Sequence, residues 1–358
     1  MTLLLIGAAQ ADTPLGWINS DNASAYTTTA KELEISAAVL AVNDTIDFLN
    51  VRDDLIAANR ILAGKSGDLS GRRLEINYGI LPELSVFYRR QEHDLTVDLG
   101  EISSISLVDI DNSLDTTYQE AGIKWTLYQA NLLNPDNRVS ALSLQLSTFK
   151  SDSKNFDVVT DEIRLDNLIL TFTNPQTFSV TQLEDDGWQG RLLYSWPMSN
   201  LGITTVWLGY GESNASSATG SDLASVTLSN FFAQRFQREE TYTFLGASLN
   251  FRPSPRLPVS ISYEYIDIAD TIFFRDPVEP PSGLPGFLAA GGGSGQGSNH
   301  HLSARVGYWL TPRMNLSLSG NLYSNQFLGI LPHYNNPLSE SFTDLLYGYI
   351  GLELGFRF

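Results

Sequence analysis

The sequence predicts an all-β fold: a transmembrane antiparallel β-barrel of about fourteen strands, with twelve as the alternative. Short turns join the strands at one end and long connections join them at the other. Three observations carry this reading. Apolar and polar residues alternate with a period of two in segment after segment. The links between those segments are by turns short and long. No stretch approaches the roughly 20 apolar residues of a membrane helix, although 42% of the 358 residues are hydrophobic. A barrel reconciles a mean hydropathy near zero with a membrane, because only every second residue of a strand meets lipid. Aromatic residues make up 11% of the chain, and fifteen Tyr and six Trp are enough to furnish interfacial girdles.

The elements follow in order. Leu3 to Ala9 form a short apolar core, and Ala9-Gln10-Ala11 is an A-x-A cleavage pattern. No Lys or Arg precedes Lys31, so the basic region of a leader is missing. We read 1–11 as the remnant of a signal peptide whose start is cut short, with a mature chain from Asp12. Residues 12–31 are expected to be a periplasmic tail or a plug entering the barrel, and 32–358 a single barrel. A first strand is expected near Glu32 to Asn43. Residues 45–62 have helical spacing, with Asn43 or Asp44 as caps, and a second helical pattern lies at 222–236.

Alternation is clear at Leu74, Ile76 and Tyr78 against Arg73, Glu75 and Asn77, and a strand restarts at Leu84-Ser85-Val86. It returns at Val259 to Tyr265, at Leu302 to Leu310 and at Met314 to Leu322. Short links are expected at Leu81 to Glu83, Asn174-Pro175-Gln176, Pro197 to Asn200, Pro253 to Leu257 and Thr311-Pro312-Arg313. Long ones span 44–70, 98–115, 213–238, 271–298 and 327–342. The strand number turns on 151–187. Leu168 to Phe172, a turn at Asn174-Pro175-Gln176, then Phe178 and Val180 up to a tight outer turn at Glu184-Asp185-Asp186-Gly187 read as a hairpin. Counting it gives fourteen strands; folding it in as a loop gives twelve.

Sorting charges by parity separates wall from loops. The inward set is Arg73, Arg89, Lys124, Arg191, Arg252, Arg305 and Arg357 against Glu75, Glu120, Glu264 and Glu353, a mixed and mildly basic lumen. Two readings stay open: a positive track for anionic solutes, or Arg and Glu paired across strands and filling the barrel. The net charge of -18 then places the excess acid in the loops and argues against a nucleic-acid partner. Acidic outer loops suit divalent cations shared with lipopolysaccharide. Asp109, Asp111 and Asp115 resemble a calcium loop only loosely, lacking its glycine and glutamate. Cysteine is absent, which excludes disulfides and thiolate metal sites, and no cofactor is implied.

Four histidines exist, His93, His300, His301 and His333, all read in or beside loops. None lies in a G-x-S-x-G motif, and no H-E-x-x-H, P-loop or G-x-G-x-x-G occurs. His93-Asp94 resembles half of an omptin protease site, and His300-His301 has no partner at ligand spacing. A non-enzyme is expected, with an outer-membrane hydrolase as the alternative.

The last eleven residues alternate strictly: Ile350, Leu352, Leu354, Phe356 and Phe358 on one face, Tyr349, Gly351, Glu353, Gly355 and Arg357 on the other. A final strand ending on an aromatic residue resembles the assembly signal of Gram-negative outer-membrane β-barrels. That resemblance implies an outer-membrane address, contact with outer-membrane lipid and lipopolysaccharide, and delivery by the barrel-assembly machinery. It names no subfamily. Function is expected to be a channel or passive transporter for small solutes. The alternatives are a plugged, fatty-acid-transporter-like barrel for hydrophobic molecules and a filled, pore-less structural or adhesion barrel.

Overall fold

The computed structural model describes residues 24–42, 65–98, 105–110, 113–130, 140–165, 168–199, 202–223, 235–274, 293–323 and 347–358. The expected leader (1–11), residues 12–23, the helical pattern at 45–62 and most of that at 222–236 lie outside these residues; Arg235 and Phe236 belong to a strand. The strands are β1 (Leu33–Val42), β2 (Lys65–Leu81), β3 (Leu84–Asp98), β4 (Ile105–Ile110), β5 (Ser113–Ala130), β6 (Ser140–Ser153) and β7 (Phe156–Leu165). They continue with β8 (Leu168–Ser199), β9 (Gly202–Ser221), β10 (Arg235–Ser254), β11 (Leu257–Phe274), β12 (Gly293–Thr311), β13 (Met314–Tyr323) and β14 (Tyr347–Arg357).

All fourteen strands belong to one sheet, and twelve of them close it. The circuit runs β1-β2-β3-β5-β6-β8-β9-β10-β11-β12-β13-β14, and β14 returns to pair antiparallel with β1. β4 and β7 lie outside the circuit: β7 pairs with the first part of β8, and β4 pairs with β7. Both strand counts thus describe the molecule, fourteen in the sheet and twelve in the wall.

β8 explains the ambiguity and corrects two expectations. It is 32 residues long and passes straight through Asn174-Pro175-Gln176, which is not a hairpin turn. Thr160 pairs with Gln176 and Glu162 with Thr171, so residues 172–175 stand against Asp161 as a bulge. Proline has no N–H to give a ladder, and a bulge needs none. Nor is Glu184-Asp185-Asp186-Gly187 a turn, because β6 pairs with it on one side and β9 on the other. The bend comes earlier, at Gln182 with φ 57, where the register to β9 shifts between Thr181 and Glu184. There the strand leaves the extension and joins the wall.

The wall shows two opposite faces. Outward positions are apolar around the circuit, including Val39, Ile76, Ile123, Leu146, Leu208, Leu245, Ile261, Val306, Leu318 and Leu352, with Leu208 59% exposed. Aromatic residues border this belt. Towards the short turns stand Trp125, Tyr128, Tyr194, Tyr308 and Phe358, and towards the long connections Trp188, Tyr210 and Tyr263. Beyond the second border the outward positions become charged: Arg72, Arg90, Glu92, Lys150, Asp152, Glu184 and Glu212. Of the excess acid expected in loops at 92–115 and 151–187, Glu92, Asp94, Glu184 and Asp186 are therefore on strands that rise past the apolar belt.

Candidate functional site: the inner face of the barrel

Towards the short turns, the inner face is charged, and register explains how its charges meet. Ala38 of β1 faces Arg73 on β2 and Glu353 on β14. Alanine is too short to separate them, so Arg73 reaches across β1 and its Nη2 donates to Glu353 Oε2 at 2.7 Å. Arg305 of β12 reaches the same oxygen at 3.1 Å across β13, which offers only Ser317 and Ser319 between them. From Arg73 the chain of ion pairs continues to Glu75 (3.3 Å), from Glu75 to Arg89 (3.0 Å) and from Arg89 to Glu120 (3.5 Å). Glu120 also accepts from Ser147 and Gln189, each at 2.7 Å.

On the far side, Arg191 pairs with Glu264 at 3.3 Å, and Trp207 Nε1 donates to the other Glu264 oxygen at 2.5 Å. Gly246 of β10 sits between them in register. A Cβ there would stand 2.2 Å from the Trp207 ring, so only glycine lets the indole lie across β10 to β11. At the seam of the barrel, Arg357 pairs with Glu34 at 2.9 Å and with Glu32 at 2.6 Å. Of the residues singled out from sequence, Arg73, Glu75, Glu120, Lys124, Arg191, Glu264, Arg305 and Glu353 are buried on this face, and Arg89, Arg252 and Arg357 are half-buried there. Each carboxylate of that set has an arginine within ion-pair distance. Buried charges require such pairing, because an isolated one loses its hydration without return.

Towards the long connections the inner face turns aromatic. Phe149, Tyr242, Phe244, Ile266 and Ile268 form one buried cluster, with Tyr118 packed against it. Tyr118 and Phe149 stack with centroids 5.9 Å apart, Tyr242 meets Phe244 edge-on at 5.0 Å, and Arg191 caps Phe244 at 4.6 Å. Opposite, a second run of rings crosses from β12 to β3. His301 stacks on Tyr323 at 4.3 Å, Tyr323 on Tyr349 at 6.2 Å, and Tyr349 meets His93 at 6.0 Å.

At the opposite end, residues 24–31 enter the mouth of the barrel. Lys31 has φ 65, a left-handed turn that leads the chain away from β1, and its N–H donates to Gly79 O at 2.7 Å. Thr27 Oγ1 donates to Pro82 O at 2.8 Å, Lys124 Nζ to Ser24 O at 3.0 Å, and Ala25 N to Ser195 Oγ at 2.8 Å. Ser143 Oγ donates to Ala25 O. Ala25 and Tyr26 then pack with Ala141, Leu193, Ile203 and Trp207. The segment thus passes from β1 to β6, β8 and β9 along the inside of the short-turn end.

An apolar outer belt with aromatic borders around a closed, polar-cored barrel has one solvent that suits it, a lipid bilayer. The chain is a membrane-spanning β-barrel. No helix among the described residues is long and apolar enough to cross a membrane; the strands do so. No family model matches the chain, and no curated protein sequence matches it.

Solved structures of similar architecture include the Pseudomonas putida toluene transporter TodX, with 10% identity, a TM-score of 0.45 and coverage of 92% of this chain and 90% of that one. A Pseudomonas aeruginosa FadL homologue shows 7% identity and a TM-score of 0.41 over 91% and 88%. The Escherichia coli outer-membrane protease OmpT shows 10% and 0.37 over 94% and 100%. A fold alone names no chemistry, so that of this barrel has to come from its own side chains.

The three described histidines, His93, His300 and His301, lie on strands rather than in loops. His93 is buried on the inner face of β3, with Nε2 2.5 Å from Gln91 Nε2, whereas Asp94 is exposed on the outer face. Neighbouring strand residues point to opposite sides, so His93-Asp94 is no acid–base unit. His300 and His301 divide in the same way: His300 meets Tyr263 Oη at 2.7 Å outside, and His301 stacks on Tyr323 inside. His333 lies outside the described residues. Among the weak calcium candidates, Asp115 pairs with Lys154, Asp109 lies in β4, and Asp111 is outside the described residues. Among the described residues, no three His, Cys, Asp or Glu are grouped to hold a metal ion.

Sequence reasoning did not single out Arg238, Glu240, Tyr242, Phe244, Trp207 or Glu34. The signal was there for β10: Arg238, Glu240, Tyr242 and Phe244 share one parity against Thr241, Leu245 and Leu249. Assigning 213–238 to a long loop hid the first.

Proposed function

We propose that this barrel carries small hydrophobic molecules across the outer membrane, with residues 24–31 as a plug at its periplasmic mouth. The observation that carries this reading is the buried cluster of Phe149, Tyr242, Phe244, Ile266 and Ile268 on the inner face. A water-filled pore for polar solutes would leave such side chains wetted at a cost of roughly 25 cal/mol for each Å². An apolar cargo turns the same surface into a binding wall. The arginines support the reading by being neutralised. A track for anions needs a net positive potential, and here Arg73, Arg89, Arg191, Arg305 and Arg357 each face glutamate. Charge pairing stiffens the barrel, and cargo contact falls to the rings. Nothing in this arrangement calls for a catalytic step, and transport is the simpler activity.

The test uses the purified protein in proteoliposomes. Calorimetric titration with ethylbenzene should give saturable binding, and liposome swelling with a neutral pentose should be no faster than in protein-free vesicles. Removing residues 1–30 should open a path and bring swelling up. Rapid swelling by the intact protein, together with no ethylbenzene binding, would sink the proposal in favour of a polar-solute channel.

A further inference from the structure

Above the rings, the inner face carries a carboxylate that the wall does not use. Asp185 of β8 is 3% exposed, and neither of its side-chain oxygens completes a hydrogen bond. The Ser213 hydroxyl is shared between Asp185 and Glu240, 3.5 Å from Glu240 Oε2. Arg238, whose ion pair with Glu240 spans 2.9 Å, attracts Asp185 as well, so two carboxylates divide one arginine. Ser151 faces Asp185 directly across the β6–β8 register, is 2% exposed, and also leaves its Oγ without a partner. Two neighbouring inward groups therefore present three unused polar atoms at one place.

Directly below them the surroundings are aromatic. Phe149 faces Gly187, the next inward position on β8, and a Cβ at Gly187 would stand 2.7 Å from the Phe149 ring. Tyr118, which faces Ser151 from β5, stacks on Phe149 at 5.9 Å. Two residues along a strand separate neighbouring inward rows by about 7 Å. A buried carboxylate needs a counter-charge, and ring faces beside it favour a cation over an anion. A ligand with an ammonium group one or two carbons from an aromatic ring satisfies both rows at once.

We infer that Asp185 and Ser151, over the rings of Phe149 and Tyr118, form a binding site for small arylalkylammonium ions on the inner face of the barrel. The site deepens the transport reading and rests on it: the rings take the hydrophobic body, and Asp185 selects its charge. Anionic analogues meet a carboxylate and are rejected.

Three ligands of matched size test this with the full-length protein in detergent: 2-phenylethylammonium, ethylbenzene and 3-phenylpropionate. Titration calorimetry should show the ammonium binding about tenfold or more tighter than the carboxylate, the worth of one charge-assisted hydrogen bond. Asp185→Asn should abolish that preference and leave ethylbenzene binding within about twofold of the original. Ser151→Ala, which removes one hydroxyl and preserves the carboxylate, should weaken the ammonium alone and serves if the Asn variant does not fold. Equal binding of the two ions by the unaltered protein overturns the site, as does a preference that survives Asp185→Asn. Displacement of 2-phenylethylammonium by millimolar calcium overturns it in favour of a metal ion. Ammonium binding without ethylbenzene binding upholds the site and rejects the hydrophobic-cargo reading, so the two can fail separately.

Discussion

The two layers of the inner face solve the same packing problem in different ways. The layer near the short turns fills the barrel with arginine and glutamate joined by ion pairs, from Arg305 through Glu353, Arg73, Glu75 and Arg89 to Glu120. The layer near the long connections fills it with rings that need no partner charge, and Asp185 and Ser151 above them keep side-chain oxygens without a hydrogen-bond partner. The charged layer is bound together by shared ion pairs and loses much from mutation. In the proposed transport, recognition falls to the aromatic layer.

That contrast can be broken most severely at Glu353, which serves both Arg73 and Arg305. Glu353→Ala removes the carboxylate that two buried guanidiniums share, leaving Arg73 with Glu75, and should cost about 3–5 kcal/mol. A shift in the urea midpoint of the detergent-folded barrel measures it. Replacing Arg73, Arg305 and Glu353 together by Met, Met and Leu should recover most of the loss, since the penalty belongs to the unpaired charge. A Glu353→Ala variant as stable as the original would show that the layer is wet and loosely paired.

A smaller effect is expected at Gly246, where the layers meet. Gly246→Ala drives a methyl into the Trp207 ring and breaks its hydrogen bond to Glu264, at a cost of roughly 1–3 kcal/mol. Tryptophan emission should change with the same midpoint shift, because Trp207 moves; an unchanged spectrum would mean that the indole does not depend on the gap. The smallest effect is expected on the outer face. Arg72 contacts Glu92 but is 77% exposed, so Arg72→Ala should change stability by about 0–1 kcal/mol. A larger loss there would erase the distinction between inner and outer charges.

Much of this was legible because a strand's period of two cannot be disguised. Once Leu354 and Phe356 are assigned to lipid, Glu353 and Arg357 must face inward. The same reasoning carries through Arg73 and Glu75, and through Arg305. What parity cannot reveal is reach. Whether Arg73 meets Glu353 depends on a residue of a third strand, Ala38, paired with both, and register between distant strands leaves no local trace. The β8 region misled for a related reason. Asn174-Pro175-Gln176 and Glu184-Asp185-Asp186-Gly187 have turn composition, but the first is accommodated as a bulge, and the second lies between two partner strands. The aromatic layer was dispersed over β5, β6, β10 and β11, so no window of sequence contains it.

The seam where β14 meets β1 has a consequence in time. Eleven of the twelve wall pairings join strands that follow one another around the circuit, and each can form as soon as its second member is at hand. The twelfth brings together residues 323 positions apart, Glu34 and Arg357. Contacts of such separation are slow to form, since the whole intervening chain must be drawn in. Until then β1 and β14 each present a row of unpaired backbone groups that hydrocarbon cannot satisfy. Closure is therefore the step at which this chain exchanges a surface that needs water for one that tolerates lipid, and the Arg357 pairs with Glu32 and Glu34 act as the latch that holds the step shut.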